Sequence, residues 1–268
     1  MNATPRNSKR LKRKAAFTLI ELLVVVAVIG ILAAMILPSL ARAKRIAHQT
    51  ECLNLIRQWA IAFHSYTLDN DGMIPREGYH DLGSVYLNSW PQVMDDKSKD
   101  TWYNGLASYM NNLPASRYGS YNSRPSFYGR NALFHCPSAR LPKETLEPNT
   151  QIAIFSLAMN SFLIESPNVP TISFNRIKSP AKTVLFLDNL LEGEPKVDED
   201  QAKNNLGQPS SEAARFAGVR HDGKGNLAFG DLHVESLPGN KVVQTNPGRG
   251  KGGAIEPEVE IIWFPDLR

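Results

Sequence analysis

From Phe17 to Leu37 the chain reads FTLIELLVVVAVIGILAAMIL, 21 residues with a single charge, Glu21. A bilayer core about 30 Å thick is crossed by roughly 20 apolar residues in a helix, so this run is long enough to span. Six basic residues precede it, Arg6, Lys9, Arg10, Lys12, Arg13 and Lys14, and no acidic residue occurs among the first sixteen. Lys and Arg stay on the cytoplasmic side, which predicts the N-terminus inside and everything after Leu37 outside. An ordinary signal peptide is disfavoured. The run exceeds the usual h-region, and Pro38-Ser39-Leu40-Ala41 leads into a basic helix with no small-residue cleavage site.

A carboxylate at a membrane helix position costs on the order of 2–3 kcal/mol, and such residues usually have a partner. The isolated helix offers Glu21 none by sequence. The residue also lies close enough to the start of the run to stay hydrated among headgroups.

Ala16-Phe17-Thr18-Leu19-Ile20-Glu21, set between a basic leader and the apolar run, resembles the class III signal of type IV prepilins and type II secretion pseudopilins. The resemblance implies cutting between Ala16 and Phe17 by prepilin peptidase and methylation of the new Phe17 amine. Glu21 then occupies the family's acidic fifth position and Pro38 its helix-bending proline. Ala16 stands where the family normally has Gly. In a filament, Glu21 would pair with the amine of a neighbouring subunit's Phe17, offsetting burial and setting axial register.

The net charge of +4 is misleading. The leader holds 6 of the 30 Lys and Arg and none of the 26 Asp and Glu, leaving 24 basic against 26 acidic residues, net −2. The basic pI is therefore no argument for nucleic-acid binding, and none is expected. Cys52 and Cys136 are the two cysteines. In an oxidising compartment they can form one disulfide, or remain two buried thiols; the sequence leaves both open.

Beyond Pro38 good helix formers resume, and Leu40, Ala43, Ala47, Cys52, Ile56, Ala60 and Phe63 form an apolar stripe. A helix from Phe17 to about Leu68 follows, apolar all round in its first half and amphipathic in its second. Asp69-Asn70-Asp71-Gly72 ends it; this reads as a turn, since the spaced pattern of a calcium loop is missing. Residues 73–150 read as a loop-rich insertion with short elements, including a helix near Trp102–Met110. Its many Tyr and Trp suit core pegs better than a carbohydrate platform. Gln151–Ala158 and Thr183–Asp188 are strand candidates, and Glu192–Ser211 reads as an exposed loop.

The stretch His221 to Val234 resembles the H-x9-D-G motif near the C-terminal end of one branch of prepilin-like proteins. His221 and Asp231 keep the spacing, but Leu232 stands at the final Gly. Its two apolar segments flank a turn, predicting a hairpin, and Gly230-Asp231 suits a type II′ turn. His221, Asp222, Asp231 and His233 are metal-ligand types, but their spacing is no recognised ligand set, so no metal or other cofactor is expected. Nucleophile elbows, phosphate loops, CxxC pairs and HExxH helices are absent from the sequence. Gly248–Gly253 reads as a loop, and Glu256–Phe264 as a last strand.

The fold expected is α+β and pilin-like, a long helix packed on a head with an antiparallel β-sheet. Its parts are a cleaved leader (1–16), the helix (17–68, with 17–37 membrane-spanning or filament core) and an extracytoplasmic head (69–268). The function expected is structural, not enzymatic: a subunit of a type IV pilus or type II pseudopilus. Its partners would be prepilin peptidase, other pilin or pseudopilin subunits, the inner-membrane assembly platform and the bilayer. Its place would be the bacterial inner membrane, and then a periplasmic or cell-surface filament. A second reading is a membrane-tethered binding module, for carbohydrate, that borrows the prepilin signal. A hydrolase using His221 and Asp231 is a third.

Overall fold

The computed structural model describes residues 18–81, 84–85, 88–129, 132–147, 150–163, 172–199, 201–245 and 261–263. Helix α1 runs from Leu19 to Asp69 without interruption at Pro38. The Ser39 hydroxyl there donates to the Ile36 carbonyl at 2.8 Å. The chain divides into two compact units, Met1–Lys44 and Arg45–Arg268. In the first, every described residue is exposed, including Leu19, Val24, Ile29 and Leu37. This is one helix long and apolar enough to cross a membrane.

In the second unit the helix becomes amphipathic. Cys52, Ile56, Trp59, Ala60, Ala62, Phe63 and Thr67 are buried, at the three- and four-residue steps of one helix face. The helix ends in a Schellman motif. The Gly72 amide donates to the Thr67 carbonyl at 2.7 Å, and Asp71 takes the left-handed position with φ of 53°.

Trp59 is the centre of the head. Its ring meets Trp102 edge-on at 4.8 Å and Phe134 at 5.6 Å, and its indole N–H donates to the Leu133 carbonyl at 2.7 Å. Trp102 in turn reaches Phe186 at 5.5 Å and donates to the Pro209 carbonyl. Helix, insertion and sheet thus share one aromatic core. The insertion contributes the two-residue strands β1 (His80–Asp81) and β2 (Ser84–Val85). Its helices are α2 (Trp90–Met94), α3 (Trp102–Gly105) and α4 (Arg124–Phe127). Trp90, Trp102, Tyr103 and Phe127 are all buried, so they serve as pegs and form no open aromatic row.

The main sheet comprises β3 (Leu157–Asn160), β4 (Val184–Asp188), β5 (Ser210–Ser211), β6 (Lys224–Phe229) and β7 (Val234–Pro238), in the order β5-β3-β4-β6-β7. Its pairs are antiparallel except β3 with β5, which run parallel. Helix α5 (Gly239–Val243) follows β7. Near the C-terminus Ile262 bridges to Thr183 in parallel, and Trp263 is buried with its indole donating to the Thr245 hydroxyl at 2.8 Å.

Three local expectations are corrected. Of Gln151–Ala158 only the last two residues enter β3; Ile152 is an isolated bridge partner of Ser89. The segment Glu192–Ser211 is not simply an exposed loop, because Glu194, Gln201 and Gln208–Ser211 are buried and Ser210–Ser211 form β5. Its polar residues are buried because they find partners, as when Gln201 donates to the Phe216 carbonyl at 3.0 Å. The β6–β7 turn is not type II′. Gly230 is not left-handed. The Leu232 amide donates to the Phe229 carbonyl at 3.0 Å, the Phe229 amide to the His233 carbonyl at 3.0 Å, and Leu232 itself has φ of 72°. This is a three-residue hairpin loop with its left-handed residue last. The segment 248–253 lies outside the described residues.

Candidate functional site

Two regions carry the residues singled out by sequence. In the first, Ala16 and Phe17 lie outside the described residues, and Thr18 and Glu21 make a capping box. Both the amide and the hydroxyl of Thr18 donate to Glu21 Oε2, at 2.9 and 2.8 Å, and the Glu21 amide donates back to the Thr18 hydroxyl at 3.3 Å. The expectation that an isolated helix leaves Glu21 without a partner is therefore corrected. Thr at the N-cap and Glu three residues later satisfy the free amides of a helix start.

The second region lies in the head. Cys52, on the buried face of α1, is joined to Cys136 by a disulfide with a Cα–Cα distance of 5.0 Å. His221 Nε2 lies 3.5 Å from Cys136 Sγ and 3.3 Å from Asp188 Oδ2. The relative exposures of Cys52, Cys136, His221 and Asp188 are 0, 2, 5 and 0%. Asp188 Oδ2 also accepts the Asn226 amide at 2.9 Å.

Beside it, Arg220 grips Glu194 with two bonds, Nη2 to Oε2 at 2.5 Å and Nε to Oε1 at 3.0 Å, and its Nη1 lies 3.5 Å from Asp188 Oδ1. Its remaining donors go to the carbonyls of Ser156 and Asn189. A guanidinium with all sides occupied tolerates burial where a lone charge would not.

His135, next to Cys136, is buried against Phe127 and Tyr128, and neither ring nitrogen has a hydrogen-bond partner. Burial, with the nearby Arg220 charge, lowers its pKa to about 3.

The structure does not gather His221, Asp222, Asp231 and His233. Asp222 is exposed and pairs loosely with Arg45 at 3.7 Å. Asp231 sits at the far end of β6, bonded to the His233 ring, which stacks on Phe229 at 4.3 Å. Burial alone would raise the Asp231 pKa, but the hydrogen bonds from His233 outweigh it and hold the carboxyl below its ordinary range. Cys136 beside His221 resembles a nucleophile with its base, yet its sulfur is spent in the disulfide. Asp188, Arg220 and Glu194 carry no sequence signal that marks them as partners. Only the S/T-x-x-E spacing of Thr18 to Glu21 was readable in advance.

Residues 11–37 match the family model described as the prokaryotic N-terminal methylation motif. Neither a curated protein nor a solved structure matches the chain. The chain thus carries a prepilin-type methylation motif that runs into a long apolar helix, in an α+β architecture of pilin-like kind. The motif indicates a prepilin substrate that is type IV pilin- or pseudopilin-like. The motif points to a structural protein, implies processing by prepilin peptidase and assembly with other pilin subunits, and fits anchoring in an inner membrane.

Proposed function

We propose that the chain is a filament subunit of a type IV pilus or a type II secretion pseudopilus, cut between Ala16 and Phe17 and held in the filament through the apolar part of α1. The observation that carries this is the methylation motif leading into a helix whose side chains, from Thr18 to Lys44, are all exposed in the single chain. Apolar surface of that extent requires cover. Lipid supplies it before assembly and neighbouring helices supply it afterwards. The head then lies outside the inner membrane, with the leader in the cytoplasm.

Within this reading Glu21 has two successive partners. Thr18 satisfies its carboxylate in the single chain, and the amine of a neighbouring Phe17 does so in the filament, where a full positive charge in low dielectric is the stronger partner. Glu21→Ala is expected to leave cutting and membrane insertion intact while removing the chain from sheared or sedimented filaments. Thr18→Val, which loses only the cap, should still assemble. Full assembly of Glu21→Ala would instead favour a membrane-tethered module. The carbohydrate form of that reading is weakened by the burial of Trp90, Trp102 and Tyr103.

A further inference from the structure

The disulfide does not sit among apolar side chains alone. Cys52 Sγ, Cys136 Sγ and a His221 ring nitrogen all lie within 4.8 Å of one another, and Asp188 Oδ2, outside that group, stands 3.3 Å from His221 Nε2. These are two thiols, an imidazole and a carboxylate, drawn from α1, the segment before Ser138, the turn ahead of β6 and the end of β4. They are the donor types that take zinc, and each is buried.

We propose that in the dithiol form of the chain this cluster is a zinc site, with Cys52, Cys136, His221 and Asp188 as its ligands. Two of the ligand edges already fit a tetrahedral ion. Metal–sulfur bonds of about 2.3 Å and metal–nitrogen or metal–oxygen bonds of about 2.0 Å set ligand edges of about 3.5 Å between S and N and about 3.3 Å between N and O. The structure has 3.5 Å from Cys136 Sγ to His221 Nε2 and 3.3 Å from His221 Nε2 to Asp188 Oδ2. The two sulfurs must part to about 3.8 Å once no bond joins them, and the Asp188 carboxylate, which lies outside the 4.8 Å group of the other three donors, must turn toward them. The Asn226 amide on Asp188 Oδ2 is the sort of outer contact that aims a metal ligand.

Charge favours the exchange as well. A zinc ion with two thiolates is neutral, so it replaces the disulfide without altering the buried balance of Arg220 against Asp188 and Glu194. The chain is made as a dithiol, so no reductant is needed. Zn2+ displaces the two thiol protons and forms two Zn–S bonds. Oxidation later transfers two electrons from the thiolates to the disulfide of a thiol oxidant, whose two sulfurs take protons from water, closes Cys52–Cys136 and releases Zn2+. The metal thus ties helix to sheet before the covalent bond does.

The test uses the full chain in detergent micelles, kept as the dithiol by a phosphine under anaerobic conditions and titrated with Co2+. One Co2+ per chain is expected, with a thiolate charge-transfer band and tetrahedral d–d bands. Zn2+ should displace it, and the oxidised chain should show neither band. Cys136→Ser should abolish the two-thiolate spectrum, and His221→Ala and Asp188→Asn should weaken binding at least about tenfold, with near-UV circular dichroism reporting the fold throughout. Three results overturn the proposal. The folded dithiol chain shows no thiolate band; the band is indifferent to His221→Ala and Asp188→Asn; or the dithiol chain unfolds and Zn2+ does not restore it.

Discussion

Cys52 and Cys136 are joined across a sequence separation of 84 residues, fixing the buried face of α1 to the aromatic insertion. A bond closing a loop of that length restricts the unfolded chain by about 4–5 kcal/mol. The double variant Cys52→Ala/Cys136→Ala is therefore expected to lower head stability by that order, read as a lower urea midpoint together with a steeper slope, because the uncrosslinked unfolded chain exposes more surface. An unchanged midpoint would show that the head is held by its core alone.

Arg220 satisfies Glu194 and approaches Asp188 with its side chain 2% exposed. Arg220→Ala leaves two buried carboxylates without their cation and should cost about 3–5 kcal/mol. Arg220→Lys should recover only part of this, because an ammonium cannot reproduce the two-pronged bond to Glu194. Equilibrium unfolding of both variants checks the ranking.

His135 gives a pH dependence with a definite sign. Its folded pKa of about 3 lies below the ordinary 6.5, so the unfolded chain binds the proton first as pH falls. The contribution to stability is complete above 6.5 and is lost progressively from there toward about 3. His135→Leu removes the titration and two unpartnered nitrogens. It should exceed the parent in stability already at pH 7, by roughly 1 kcal/mol or more, and by a widening margin toward pH 4. A margin independent of pH would contradict the assignment.

Leu232 occupies a left-handed position with φ of 72°, while its side chain packs partly buried against the main core. Leu232→Ala and Leu232→Gly lose nearly the same packing, so their difference isolates the backbone. At an ordinary position Gly would be the worse of the pair. Here Gly should be the more stable by about 1 kcal/mol, as thermal melts of the two can establish.

Much of this architecture was legible. The long helix is announced by a largely apolar run of 21 residues followed by a stripe of period 3.6, and β4 by the apolar run within Thr183–Asp188. What could not be read depended on partners distant in sequence. The polar run after Glu192 reads as solvated until Arg220 and the Phe216 carbonyl are known to await Glu194 and Gln201. The sequence predicts the hairpin but points to Gly230 for its turn, because nothing local marks Leu232 as the residue that accepts a positive φ. Trp59, set beside the foreseen stripe, proved the hub of the core because the insertion brings Trp102 and Phe134 onto it. The cluster around His221 spans four chain segments, so no single window of sequence contains it.

The most direct test of the account is mass spectrometry of the N-terminus, in cells with and without prepilin peptidase. A mature chain that begins at N-methylated Phe17, found only when the peptidase is present, is the predicted result. An intact N-terminus, or a cut beyond Leu37, would contradict the account and leave the head an anchored or secreted domain with no place in a filament.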